Sequence, residues 1–428
     1  MIKRILFGVL VCAIGVVGAV PSHAELKVGI ASTNVTPDPL LPVSGGVPDP
    51  DERPPAATKK QGELEARALV IENSGTKIAI VSVPYLGFSG TLGDKVRAQV
   101  KGIKPENVMI GSTHVHSAPD MYAFPINEKG ETLADLDYIA ASCDKIAKCI
   151  NDANGKLAPA SAKIAEAKIA EKIAYNYYAP QLYDRRCNVI QFIGEDGNAI
   201  ATFVNYAIHP EVIGPGQGIC SPDVIGPFHD RIAENGGGMA IFMNSAQGGM
   251  VTADCRGPDG KDIQTWDECI RIGNLLADEA LRIVKDAPVQ KDPMLYCGAK
   301  KVSFPIDSDD MKFIVAYSPM KTALNPDGTV GTTINLVNFG TAQMLTIPGE
   351  ALPNIGFYLK RKMHGEQNFL LGLTNDAFGY ILTREDFQSF DRYNYVSRTS
   401  LGEQTGPILV DESLKLVEGS PRPEAAKS

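Results

Sequence analysis

Short apolar, β-branched runs alternate along the chain with longer stretches in which apolar residues recur every three to four positions. The short runs predict strands at 26–34 (an edge strand), 64–72, 77–84, from Val108 into the following loop, and at 162–174 (an outer strand). Further strands are expected at 187–194, 199–207, 238–244, 295–305, 333–339, 341–347 and 368–374. Asn73-Ser74-Gly75-Thr76 turns the first pair into a hairpin, and Glu195-Asp196-Gly197-Asn198 turns another. The longer period predicts helices at 91–101 (Val96 and Val100 inward), 132–153, 224–235, 265–286, 351–363 and 407–418. In the second of these, Leu133, Leu136, Ile139, Ala140, Ile146 and Ile150 share a face, and Ser221 or Asp223 can cap the third. Residues 36–59 are proline-rich and aperiodic, a long loop of the kind that sits over sites. Strands and helices mix without strict βαβ alternation. The expected fold is α/β: a single large domain of mixed β-sheets flanked by helices, with active-site loops at strand ends.

Composition changes this picture at the N-terminus. The 428 residues are 44% apolar and 21% charged, which is ordinary for a globular protein. Lys3 and Arg4, the apolar stretch 5–20 and the small-residue site Ser22-His23-Ala24 read as a cleaved signal peptide, too short for the roughly 18–20 residues of a spanning helix. A periplasmic or secreted chain from Glu25 is expected, with no stable membrane anchor and a disordered tail after about residue 419. Losing 1–24 removes two basic residues and no acidic one, so the balance becomes more negative than the −9 of the full chain. That excludes nucleic acid as a natural partner. Of eight cysteines, one (Cys12) lies in the leader; the rest include no Cys-x-x-Cys pair. Export permits disulfides, with Cys220 and Cys255 as plausible partners.

The candidate chemistry gathers at strand ends. His114 and His116 are spaced i and i+2 after an apolar run, so a strand would put both imidazoles on one face. Small neighbours (Gly111, Ser112, Ser117, Ala118) leave room around them. His209 likewise ends a strand, which Pro210 stops. Two further strand ends present Glu350 and the Gly379-Tyr380 turn. Nitrogen and oxygen ligands of this kind suit one zinc ion with a position left open for water. His229 reads as a packed or surface helix residue, His364 as a favourable charge near a helix C-terminus, and Arg185 and Arg186 as surface ion-pair residues.

Eight motifs in order then carry a resemblance. They are Asn34-Val35-Thr36-Pro37, Glu65-Ala66-Arg67-Ala68-Leu69-Val70, Ser112-Thr113-His114-Val115-His116-Ser117-Ala118-Pro119, and Asn205-Tyr206-Ala207-Ile208-His209-Pro210. Ser221-Pro222-Asp223, Ala246-Gln247-Gly248, Pro348-Gly349-Glu350 and Gly379-Tyr380-Ile381-Leu382-Thr383 follow. Together they resemble the neutral/alkaline (non-lysosomal) ceramidase family of zinc amidases. The resemblance implies zinc held by His114, His209, Glu350 and Tyr380, with His116 as the acid/base or oxyanion donor. The chain departs from the family where Gly-Asp-x-Ser-Pro is usual: it reads Gly248-Gly249-Met250-Val251-Thr252, replacing the aspartate by Gly249 and the serine by Val251. It also stops at 428, without the family's further C-terminal β-domain. Gly248, Gly249, Thr252, Tyr393 and Tyr395 are the candidates to contact substrate.

The expected activity is hydrolysis of an amide (N-acyl) bond in a small-molecule or lipid-like acyl substrate other than ceramide, by zinc-activated water. A zinc lactonase or esterase, a metal phosphoesterase and a non-catalytic zinc-binding relative remain open. No Asp-rich cluster favours the two-metal phosphoesterase. The oligomeric state is left open.

Overall fold

A computed structural model describes residues 25–46 and 57–424; the segment expected to be a signal peptide and part of the proline-rich loop fall outside them. The main sheet is built from Lys27–Asn34 (β1), Glu65–Asn73 (β2), Thr76–Val83 (β3), Val108–Ser112 (β4), Ala158–Lys168 (β5), Arg186–Gly194 (β6), Ala199–Tyr206 (β7) and Met239–Asn244 (β8). Their order is β8-β7-β6-β5-β1-β2-β3-β4, with the short Val289–Gln290 strand beside β5. The ladders are antiparallel except at the two ends, where β3 and β4 and then β7 and β8 run parallel. A second sheet follows from Leu295–Phe304 (β9), Val330–Phe339 (β10), Ala342–Thr346 (β11) and Gln367–Leu371 (β12), again closing on a parallel pair, β11 with β12.

Strand residues point to alternate faces, and here both faces are covered. Along β2, Ala66, Ala68 and Val70 pack into a cluster with the helices Leu136–Asn154 (α1), Ile225–Glu234 (α2) and Trp266–Val284 (α3). Leu69 and Ile71 pack the other way, with Ile190, Phe203, Phe339 and Phe369, between the two sheets. The outer face of the second sheet is covered by Pro353–Lys362 (α4) and Thr405–Gly419 (α5), through Ile355, Leu359, Leu409 and Val417. The result is four layers, helix–sheet–sheet–helix, which is the expected mixed α/β architecture. Among the described residues no helix is long and apolar enough to cross a membrane.

Several expectations are corrected. β1 is not an edge strand: β5 pairs it through Lys27↔Pro159 and Val28↔Ala158. β5 is not an outer strand either, since it sits between β1 and β6 and ends at Lys168. The first predicted helix covers Gly90–Arg97, so Val100 lies beyond it. α1 starts at Leu136, where the Asp135 carboxylate accepts from the Tyr138 N–H. Asp223 does not cap α2. Its carboxylate accepts instead from the backbone N–H groups of Val212, Ile213 and Val224 and pins the chain after His209. Cys220 and Cys255 are both free thiols, as are the other described cysteines.

Candidate metal centre

The parallel pairs β3–β4, β7–β8 and β11–β12 lead at their C-terminal ends into the loops that carry the candidate residues. β4 leads out through Thr113, whose N–H donates to Val83, and His114, whose N–H donates to Tyr85. His114 sits at φ 70°, a left-handed conformation that a non-glycine residue adopts at a cost of about 1–3 kcal/mol. That turn swings the imidazole inward. His209 follows β7, and its N–H donates to Val251 at 2.7 Å. Glu350 follows β11 and pairs in parallel register with Tyr380. Gly248, after β8, lies so close to the Glu350 carbonyl that a Cβ would come within 2.1 Å of that oxygen. Gly249 has φ +68°.

The side chains converge. Ring nitrogens of His114, His116 and His209, all buried, lie within 4.8 Å of one another. Glu350 Oε2 is 3.3 Å from His114 Nε2 and 3.1 Å from His209 Nε2. The opposite ring nitrogens are occupied: His114 Nδ1 donates to the Leu86 carbonyl at 2.6 Å and His209 Nδ1 to the Val251 carbonyl at 2.9 Å. A carbonyl only accepts, so each Nδ1 carries the proton and each Nε2 presents a lone pair to the carboxylate. Three acceptors thus face one another in a buried space, and the complementary species is a cation. Ligand atoms about 2.0–2.1 Å from a tetrahedral zinc stand roughly 3.3 Å apart, close to the two measured separations. Nδ1–H groups tied to carbonyls are the usual support of metal-binding histidines. His114 Nε2 and His116 Nε2 have no hydrogen-bond partner. The donor set therefore fits zinc.

Electrostatics follow the same geometry. Burial opposes charge on Glu350; when protonated, the His114 and His209 imidazoles outweigh it and hold its carboxyl well below the usual range, a role that a bound cation would take over from them. Burial, reinforced by His114 and His209, drives the His116 imidazole well below its ordinary value. Tyr380 is raised well above the ordinary phenol by burial and by Glu350. Its hydroxyl is placed 3.2 Å from Met250 Sδ.

A cavity of about 620 Å³ opens on this centre, within the range of small-ligand sites. His114, His116, Glu350, Tyr380 and Tyr395 line it. Gly248, Gly249, Thr252 and Tyr393 do not; Thr252 bridges to His209 and Tyr393 packs on Tyr178. Two residues that the sequence did not single out join the wall. Tyr122 stacks on Phe124 with centroids 4.7 Å apart, its hydroxyl over Gly87, where a Cβ would come within 2.0 Å of it. Asp376, pushed up to about 6 by burial, accepts from the Gly90 N–H. His229 is buried on α2 and does not line the cavity; Arg186 pairs with Asp184 at 2.8 Å.

A layered α/β protein with a buried histidine–carboxylate centre at its parallel strand ends is the class that fold and site define. Among solved structures it is similar to a neutral ceramidase from Pseudomonas aeruginosa, at 17% identity and a TM-score of 0.74, over 95% of this chain and 76% of that one. A ceramidase complexed with C2 is similar at 16% identity and the same TM-score, over 95% of this chain and 77% of that one. The fold is thus that of the neutral ceramidases. No family model and no curated protein sequence matches the chain.

Proposed function

We propose that the protein is a zinc-dependent amidohydrolase that cleaves an N-acyl bond, a divergent relative of the neutral ceramidases acting on an acyl amide other than ceramide. The observation that carries this reading is the convergence of His114 Nε2, His209 Nε2 and Glu350 Oε2 on one point, with His114, His116 and Glu350 lining a substrate-sized cavity and His209 buried behind them. His114, His209 and Glu350 would hold the ion, with Tyr380, which the family resemblance adds, turning its hydroxyl from Met250 Sδ to complete the set. A zinc ion held there supplies Lewis acidity, polarising an acyl carbonyl and bringing the pKa of water to about 7. The cavity wall positions the acyl group against the centre. His116 Nε2, buried and without a partner, takes the proton released by the attacking water and returns it to the leaving amine. No serine is needed, so Val251 is compatible with the reaction. The amide assignment draws on what the similar solved proteins are named for, and the substrate change on Gly249 and Val251.

The test uses purified residues 25–428. One zinc per chain is expected, with cleavage of N-acyl amides that stops on chelation and returns with zinc. Phosphate release at two metals, or zinc without turnover of amides or lactones, would overturn the reading. Export belongs to the same proposal: N-terminal sequencing of protein recovered outside the cytoplasm should begin at Glu25, and an intact Met1 there would refute cleavage.

A further inference from the structure

One carboxylate near the centre is unused by this scheme. Glu211 Oε2 lies 3.6 Å from His116 Nδ1, on the side of the ring away from the unpartnered Nε2. His116 lines the cavity, whereas Glu211 is not among the lining residues, so its side chain reaches the imidazole from behind. The other acceptor beside that ring is the backbone of Gly45.

The loop bearing Glu211 is fixed on both sides. The His116 N–H donates to the Pro210 carbonyl at 3.3 Å, which ties the two loops together immediately before Glu211. Immediately after it, the N–H groups of Val212 and Ile213 donate to the Asp223 carboxylate at 3.2 and 2.8 Å. Asp223 is fully buried and takes φ 50° to make these contacts. A solvated surface glutamate has no need of such a frame. The ring of His116 stands edge-on to that of His114, 4.8 Å between centroids, so a small rotation about its side chain changes what Nε2 faces.

We propose that Glu211 is a positioning residue, its carboxylate accepting from His116 Nδ1–H so that the imidazole keeps its lone pair on Nε2, turned toward the cavity. The separation is an ion-pair distance that closes to a hydrogen bond with a modest side-chain rotation; catalytic hydrogen bonds are often long before substrate binds. The proton then follows a defined course. Water oxygen bonds to the acyl carbon and its proton moves to His116 Nε2. Glu211 faces the imidazolium so formed, and the proton passes to the amide nitrogen as the carbon–nitrogen bond breaks, leaving a carboxylic acid and an amine. A histidine held in the other tautomer would offer Nε2–H and could not accept.

The activity arm of this inference rests on the amidohydrolase reading; its spectroscopic arm does not. In zinc-loaded protein labelled with [15N]histidine, the nitrogen shifts of His116 should report the Nδ1–H tautomer. Glu211→Ala should convert it to a mixture, while Glu211→Gln, which keeps an acceptor oxygen, retains most of it. Zinc content and affinity, read by competition with a chromophoric chelator, should be unchanged in both variants. On an N-acyl amide that the wild type cleaves, Glu211→Ala should lower kcat about 10–100-fold with KM little altered, and Glu211→Gln less. An unchanged His116 spectrum in Glu211→Ala, or loss of zinc in step with loss of kcat, would overturn the proposal. Absence of amide cleavage in the wild type would instead refute the amidohydrolase reading and leave the tautomer measurement to decide the role of Glu211.

Discussion

If the proposed zinc hydrolase reading holds, replacing His209 by alanine should remove the metal and, with it, hydrolysis. His209 is fully buried, its Nδ1–H is committed to Val251, and its Nε2 faces Glu350 at 3.1 Å. The nearest ring nitrogens belong to His114, already opposite Glu350, and to His116, whose Nδ1 faces Glu211 at 3.6 Å. Transition-state stabilisation from a metal is worth several kcal/mol, so the loss in kcat/KM should be on the order of a thousandfold or more. Metal analysis and single-substrate kinetics measure both effects on one preparation, with circular dichroism to show that the layers are intact. Glu350→Gln keeps the shape and removes the charge, and should weaken zinc binding less severely. A His209→Ala protein that holds zinc, or that is metal-free and fully active, would show that the centre is not what the geometry indicates.

How far this centre was legible in the sequence depends on which interactions carry it. His114, His116, His209 and Glu350 were readable because each follows an apolar run that ends in small residues or proline, and such ends meet where parallel strands finish together. The hairpin of β2 and β3 was readable for a local reason, an Asn-Ser-Gly turn between two β-branched runs. What failed was neighbour order. Alternation along a strand reports which faces are buried, not whether its backbone edges are paired. The Lys and Ala pattern of β5 therefore looked like an outer strand although β6 pairs it along its length. The two-residue contact of β5 with β1 leaves no trace in composition. Glu211 was missed for a related reason. A carboxylate after His-Pro reads as surface, and only the meeting of two loops far apart in sequence puts it behind His116. The binding surface was anticipated at Gly248, Gly249 and Thr252 from motif adjacency, yet that loop runs beside His209 in a ladder, behind the cavity wall.

The centre's geometry also depends on a side chain that is not a ligand. Asn244 ends β8 and is fully buried. Its Nδ2 donates to the carbonyls of Thr113 at 3.2 Å and Ile208 at 2.6 Å, the residues immediately before His114 and His209. Its Oδ1 accepts from the N–H groups of Ile208 at 3.1 Å and Ser245 at 3.0 Å. One amide therefore fixes the two histidine loops to each other and to the strand between them. Asn244→Leu keeps the volume but strips this partner from the buried carbonyls of Thr113 and Ile208 and from the Ile208 N–H, at roughly 1–3 kcal/mol each, while the Ser245 N–H keeps the Tyr206 carbonyl. A loss of about 3 kcal/mol or more in unfolding free energy is expected, read from the denaturant midpoint of the metal-free protein. Zinc affinity should fall as well, because His114 and His209 no longer approach Glu350 from a fixed frame. Since the ion binds only the folded centre, excess zinc should recover part of the lost stability, by an amount that grows with the logarithm of its concentration. A destabilised variant with wild-type zinc affinity would mean that the histidine loops hold their positions without this amide. The approach of His114 and His209 to Glu350 would then be set by the sheet ends alone.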